Sequence, residues 1–370
     1  MRIEEFDYKL PKELIAQYPS VKRDESRLLV VHRRTQKIEH RQFYNIVEYF
    51  QPGDVLILNE TKVIPARLIG RRKDTGGKVE VFLLKPIQQN EWEVMISPQR
   101  AAKVGMKIEF GEVQPPDEFW GEVTRIAPRG TTSNCASQGT PATAGSRRKR
   151  DRTYPFYCIF RFNCEVNSLL EKKGQVPLPP YIKRAPLPVD IERYQTVYAR
   201  VPGACAAPTA GLHFTQNLLQ EIENKGIEIA KIVLQVGIGT FKPIKSEKVE
   251  EHKMESEYFE ISEAMAQKIN QAKRRIAVGT TTVRALESEV RPQSDSPIIK
   301  PTKAWTEKFI YPNYEFKVVD ALVTNFHLPK STLLLLVCAF AGRELIFKAY
   351  AEAIKDGYKF YSYGDAMLII

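Results

Sequence analysis

Apolar residues change their spacing twice along this chain. Residues 41–50 place Phe43, Ile46, Val47 and Phe50 three and four positions apart, the period of one helical face. Pro52-Gly53-Asp54 then turns the chain into Val55-Leu56-Ile57-Leu58, an unbroken apolar run suited to a strand buried on both sides. From Ala66 the texture becomes one of short strands. Residues 66–71 and 78–84 flank Gly76-Gly77, a hairpin signal. Further strands are predicted over 91–96, 106–110, 119–126 and 155–162, with no helix between them. Strands in that number predict a small antiparallel barrel or sandwich.

After residue 165 the two periods alternate. Helices are predicted over 212–225, 262–275, 282–290 and 332–355, the first closed by Gly226 and the last by Gly357. Strands are predicted over 227–236, 276–278, 317–324 and 358–361. Such alternation favours a mainly parallel sheet covered on its faces. The expected fold is two-domain α/β. Residues 1–65 and 165–370 make a discontinuous α/β catalytic domain, into which 66–164 are inserted as a small antiparallel β-barrel.

Composition narrows the classes without naming one. The 370 residues are 43% hydrophobic and 27% charged, which excludes a disordered chain or a fibre. The net charge of +11 favours a polyanionic partner, but residues 128–153 alone carry +5 of it. That stretch is rich in Gly, Ser, Thr, Pro and Ala, ends in a basic run, and reads as a disordered loop. Five cysteines without CxxC spacing indicate neither a zinc ribbon nor a disulfide framework, and five histidines show no HExxH or Cys/His ligand pattern. No metal is therefore expected. The N-terminus lacks a signal peptide's apolar core, and the longest apolar run, 333–341, is far short of a membrane span. A soluble, cytoplasmic protein is the expectation.

Four turns resist explanation by periodicity, each beside a strand or helix terminus, where open α/β sheets bind ligands. The first, 59–67, offers Asn59, Glu60, Thr61, Lys62 and Arg67, and reads either as a solvated loop or as the lip of a site. The second, 206–215, has small residues that let a ligand approach the backbone, among them Thr209 and Gly211. In it His213 sits at the expected start of a helix, whose dipole disfavours its protonation; it is either a base or a core histidine holding the turn. The third, 278–287, runs from a strand through Gly279 to Thr280, Thr281 and Thr282, then Arg284. One threonine is accounted for as a helix cap, while the others and Arg284 are suited to ribose or phosphate. The fourth, 324–332, brings Asn325, Phe326 and His327 to the carboxyl end of a strand. No GxxxxGK[ST] or G-x-S-x-G motif occurs, which argues against a nucleotide hydrolase or a serine hydrolase.

In this order the segments resemble the S-adenosylmethionine:tRNA ribosyltransferase-isomerase family of queuosine biosynthesis. The resemblance is carried by LNETKVIPARL (58–68), PLPPYI (177–182), ERYQTVYA (192–199) and AAPTAGLHFT (206–215). It continues in VGIGTF (236–241), VGTTTVRALES (278–288), TNFHLPKSTLL (324–334) and YSYGDAML (361–368). The chain departs from the family pattern at Ala204-Cys205, at Cys338, and at Glu255, where a second histidine is expected. Residues 128–153 look like an insertion.

The resemblance implies transfer and isomerisation of the ribosyl moiety of S-adenosylmethionine onto 7-aminomethyl-7-deazaguanine at the tRNA wobble position. Epoxyqueuosine-tRNA forms, and adenine and methionine are released. S-adenosylmethionine is then consumed as a substrate, no cofactor is required, and a monomer is expected. A base must take the ribose proton beside the sulfonium, and an acid must protonate the departing adenine. His213, His327, Asp320 and Glu287 are the candidates. Phe214, Phe326 and Tyr363 are candidate faces for the sulfonium. Asn59, Lys62 and Arg67 are candidates to orient the methionine carboxylate or the RNA backbone. The competing readings are an S-adenosylmethionine-dependent RNA methyltransferase and a non-enzymatic RNA-binding protein.

Overall fold

The structure, a computed structural model, describes residues 1–99, 102–111, 118–126, 157–237, 239, 244–289 and 298–370. The basic stretch 128–153 lies outside them, as do Pro155 and Phe156 at the start of the last predicted barrel strand. The described chain divides into two compact units, Met1–Ile64 with Leu178–Ile370, and Pro65–Pro177.

The larger unit is built on a nine-stranded mixed sheet. Its strands run, in spatial order, Thr302–Thr306, Glu257–Ile261, Glu228–Leu234, Asp54–Asn59, Arg274–Val278, Ala321–Asn325, Ala366–Ile369, Arg27–Val31 and Ile38–Gln42. The centre is parallel, Glu228–Leu234, Asp54–Asn59, Arg274–Val278 and Ala321–Asn325 all pointing one way. Antiparallel pairings flank it on both sides, so the expectation of a mainly parallel sheet describes the centre.

The apolar run of the central strand has a simple cause. Every residue of Asp54–Asn59 is buried. Side chains alternate between the two faces of a strand. Val55 and Ile57 join one core while Leu56 and Leu58 join the other. Leu29 and Val31 against Leu28 and Val30 repeat the division. One face is covered by Glu263–Gln271, Thr280–Ser288, Thr332–Ala341 and Arg343–Lys355, the other by the 3-10 helix Phe43–Tyr49 and by Gln216–Asn224.

Several predicted boundaries move, each for a local reason. The helix expected over 212–225 begins only at Gln216, because Thr215 accepts the Leu218 amide hydrogen and caps it. The 262–275 helix stops at Gln271, and Arg274 and Arg275 already belong to a strand. The strand expected over 317–324 starts at Ala321, and the closing strand is Ala366–Ile369 rather than 358–361. The long helix over 332–355 is two helices parted by Gly342, whose φ of +87° suits glycine.

The smaller unit is a closed antiparallel barrel of six strands, Tyr157–Phe162, Glu91–Ser97, Lys78–Gln88, Arg67–Arg72, Lys107–Glu109 and Trp120–Ile126. Val79, Val81 and Leu83 alternate inward along its longest strand. The helix Val166–Lys173 falls in this unit, whereas the change of texture at residue 165 assigned it to the other. It buries Val166, Leu169 and Leu170, and the Lys172 ammonium lies 5.3 Å from the centre of the Phe119 ring. No helix among the described residues is long and apolar enough to cross a membrane.

Apart from its chain neighbours, nothing lies within 4 Å of where a Cβ on Gly342 would stand, so backbone strain is what opposes a substitution there. Gly342→Ala and Gly342→Asn should both lower stability by about 1–3 kcal/mol, because φ +87° with ψ +138° lies outside the left-handed helical region that asparagine tolerates. Urea unfolding followed by far-UV circular dichroism measures both.

Candidate active site

The four parallel strands end side by side at Asn59, Leu234, Val278 and Asn325, and the turns leaving the last two form a cleft with residues 207–210. It encloses about 610 Å³, its open mouth included. Gly279, at φ +92°, turns Val278 into the helix Thr280–Ser288, and Thr280 and Thr281 line the floor. Asn325, Phe326 and His327 form the next wall, closed by Ser331, whose hydroxyl accepts the Leu334 amide hydrogen at 3.2 Å. Thr209 lies on the 3-10 turn Thr209–His213, opposite Asn325.

A buried hydrogen-bond series runs behind this wall. The Thr209 hydroxyl donates to Asn325 Oδ1 at 2.7 Å. Asn325 Nδ2 lies 3.0 Å from His213 Nε2, and His213 Nδ1 lies 2.7 Å from Ser26 Oγ. The His213 ring also stacks at 5.0 Å on Phe43. His327 is held differently. Its Nε2 lies 2.8 Å from Thr324 Oγ1, and its backbone N–H donates to the Tyr350 hydroxyl at 2.9 Å. Its Nδ1 makes no hydrogen bond among the described residues. Burial pushes both imidazoles down to about 3, with the Arg23 charge adding to the effect at His213. The helix dipole invoked from sequence is not the cause, since His213 ends a 3-10 turn and the α-helix starts at Gln216.

Thr281, Asn325, Phe326 and His327 therefore meet at one cleft with Thr209, and His213 stands directly behind Asn325. The Thr281 hydroxyl is buried in this cleft without a partner among the described residues. The other candidates are engaged elsewhere. Asp320 precedes the strand Ala321–Asn325, so it sits at the amino edge of the sheet, accepting the Arg275 amide hydrogen at 2.7 Å. Glu287, late in its helix, accepts the amide hydrogens of Lys317, Val318 and Val319 and the Tyr314 hydroxyl. Asn59 ties its own strand to the next, donating to the Leu234 carbonyl and accepting from the Leu234 amide. Lys62 is exposed on the short strand Thr61–Val63, and Arg67 belongs to the smaller unit, paired with Glu80 at 2.8 Å.

Thr282 donates back to the Val278 carbonyl at 2.7 Å, and Arg284 forms a buried ion pair with Glu257. Gly211 is packed so closely that a Cβ would fall 2.0 Å from the Tyr198 hydroxyl. Phe214 is a core residue packed edge-on against Phe43. Phe326 borders the cleft, but its side chain is fully buried against Tyr350 and Phe360. Tyr363 donates to Asp190 at 2.7 Å and lines a second, smaller hollow with Arg23 and His213.

The aromatic faces that do line the cleft are Tyr181 and Tyr361, 4.7 Å apart, with the Tyr181 hydroxyl 2.5 Å from Ser362 Oγ. Tyr361 adopts φ +73°, a conformation that β-carbon sterics disfavour and that concentrates at functional sites. Both residues lie in segments, PLPPYI and YSYGDAML, that carry the family resemblance, yet nothing in their spacing assigned them a role.

Comparison with known proteins identifies the relationship. The family model described as "Queuosine biosynthesis protein" matches residues 3–369. The chain belongs to the queuosine biosynthesis protein family. It is 49% identical to the S-adenosylmethionine:tRNA ribosyltransferase-isomerase of Moorella thermoacetica over the full length of both chains. It is 46% identical to the protein of that name from Natranaerobius thermophilus, covering 100% of this chain and 99% of the relative. A crystal structure of S-adenosylmethionine tRNA ribosyltransferase from Thermotoga maritima covers 99% of this chain at 35% identity and a TM-score of 0.51.

Within the family pattern, Cys205 and Cys338 are buried residues whose thiols burial pushes up to about 12. They pack rather than react. Glu255 lies against Gly239, where a Cβ would fall 2.5 Å from its carboxylate, so glycine and acid fit one another there.

The buried imidazoles make stability depend on pH. His213 and His327 are neutral when folded but bind protons near pH 6.5 when unfolded, so unfolding takes up protons below that point. Their stabilisation is complete above about pH 6.5 and is lost as pH falls toward about 3, at about 1.4 kcal/mol per pH unit for each histidine once the unfolded ring is fully protonated. Urea unfolding at about pH 7 and about pH 5.5 should show this loss, and His327→Gln should remove about half of it.

Proposed function

We propose that this chain transfers the ribosyl moiety of S-adenosylmethionine to tRNA and isomerises it, as a step of queuosine biosynthesis. The full-length relationship to the ribosyltransferase-isomerases carries the reading, and the cleft at the carboxyl edge of the sheet supports it. The acceptor is 7-aminomethyl-7-deazaguanine at the anticodon wobble position, the products are epoxyqueuosine-tRNA, adenine and methionine, and the protein acts as a monomer. S-adenosylmethionine is consumed, with no further cofactor.

The chemistry assigns distinct tasks to the cleft residues. The sulfonium acidifies the ribose C–H beside it, and a base must accept that proton. His327 takes this role, since it lines the cleft as a neutral imidazole with Nε2 anchored by Thr324. The imidazolium so formed passes its proton on to the departing adenine. The amine of the acceptor base attacks a ribosyl carbon and loses its proton to solvent, and a ribosyl oxygen closes the epoxide as the carbon–sulfur bond breaks and methionine departs. Tyr181 and Tyr361 offer their ring faces to the sulfonium. The Thr281 hydroxyl and the tight turn at Gly279 fit a ribose hydroxyl brought close to the backbone. The acceptor base is reached by splaying it from the single-stranded anticodon loop.

Chromatography of a reaction with modified tRNA should show adenine and methionine, and S-adenosylhomocysteine in their place would identify a methyltransferase. His327→Ala should slow adenine release roughly 100-fold or more with far-UV circular dichroism unchanged. Turnover within about twofold of the unsubstituted chain would remove His327 from the base role. Binding to the anticodon stem-loop should weaken steadily between low and physiological salt, because cations displaced from phosphate return as salt rises.

A further inference from the structure

His213 has both ring nitrogens occupied, and a base needs one free. Its partners explain what it does. The hydrogen-bond series from Thr209 through Asn325 and His213 to Ser26 continues one step further, to the backbone carbonyl of Arg23, 3.3 Å from Ser26 Oγ. A carbonyl oxygen can only accept. Asn325 turns its amide nitrogen to His213 Nε2 and its oxygen to the Thr209 hydroxyl, so the ring hydrogen sits on Nδ1 and Ser26 Oγ accepts it, leaving the Ser26 hydrogen to point toward Arg23. Neutral imidazole carries one ring hydrogen, so Nε2 is then the acceptor and takes a hydrogen from Asn325 Nδ2. The other end of the same amide, Oδ1, can only accept, and the Thr209 hydroxyl donates to it. Each link fixes the next.

The consequence appears at the cleft. Thr209 is half-buried on the cleft wall, and its only hydroxyl hydrogen is committed inward to Asn325. What it presents to a ligand is a pair of acceptor lone pairs. We propose that His213 is a positioning residue that, through Asn325, holds Thr209 as an obligate hydrogen-bond acceptor, so that the cleft selects a hydroxyl or amino hydrogen of S-adenosylmethionine at this point. The identity of the ligand rests on the functional reading above; the direction of the series does not.

Reversal gives a definite alternative. If Ser26 donated to His213 Nδ1, the hydrogen would move to Nε2, Asn325 would present Oδ1 to the ring and Nδ2 to Thr209, and the Thr209 hydroxyl would face the cleft as a donor. The two directions differ in one observable, the tautomer of His213. Nitrogen and carbon chemical shifts of isotopically labelled histidine, assigned with the His213→Asn variant, report it in the ligand-free protein. The expected result is the Nδ1–H tautomer. The Nε2–H tautomer, or an imidazolium at neutral pH, overturns the proposal.

Two variants test the coupling. Asn325→Asp places acceptor oxygens on both sides, so the His213 hydrogen should move to Nε2. A ring that keeps Nδ1–H in that variant contradicts the series. Thr209→Val removes the acceptor and should weaken S-adenosylmethionine binding in calorimetry roughly tenfold, while Thr209→Ser should restore it to within about twofold. Equal affinities for the valine and serine variants overturn the role of Thr209. Failure of the unsubstituted protein to bind S-adenosylmethionine would overturn the functional reading instead, and the tautomer decides the series in either case.

Discussion

Everything in the larger unit depends on burying a parallel ladder on both of its faces. The strand Asp54–Asn59 has every residue buried and parallel neighbours on both sides. Such a strand has no wet face on which to carry function. Polar side chains are expelled to the strand ends, where backbone groups run out of partners and turns begin. Three of those ends, after Leu234, Val278 and Asn325, border the cleft through Val236, Gly279 and His327.

The same burial sets the chemistry of what remains. A polar group close to the ladder must be paired, since an unpaired one costs about 1–3 kcal/mol. Glu287 meets this by accepting three backbone amide hydrogens, Arg284 by pairing with Glu257, and Asn59 by bridging two strands. His213 meets it with Ser26 and Asn325. His327 and the Thr281 hydroxyl are less completely paired, and both line the cleft. A group left short of partners where a ligand can reach it distinguishes function from scaffolding more sharply than the residue type does.

That distinction also explains what could be read in the sequence. The barrel strands show as alternation because one side of each faces a core, as in Val79, Val81 and Leu83. The central strand shows as an apolar run because neither of its faces meets water. Edge strands show neither pattern: Ile38–Gln42 is Ile-Glu-His-Arg-Gln and Thr302–Thr306 carries an exposed Trp305, so packing writes nothing regular into them. The break at Gly342 is hidden because apolar residues continue across it, and only the backbone angle reveals two helices. The four turns stood out as dense in polar and small residues, yet spacing cannot tell a side chain that binds a ligand from one that binds the backbone. Asp320 and Glu287 looked like acids near a site, while Tyr181 and Tyr361, distant in sequence, were brought to the cleft only by the fold.

Each of the roles assigned here requires S-adenosylmethionine to occupy the cleft at the carboxyl edge of the parallel strands. Hydrogen–deuterium exchange of the protein with and without S-adenosylmethionine measures this directly. Protection should concentrate in residues 207–210, 279–281, 324–328 and 361–362. Protection confined to the barrel strands, with those four segments unchanged, would contradict it.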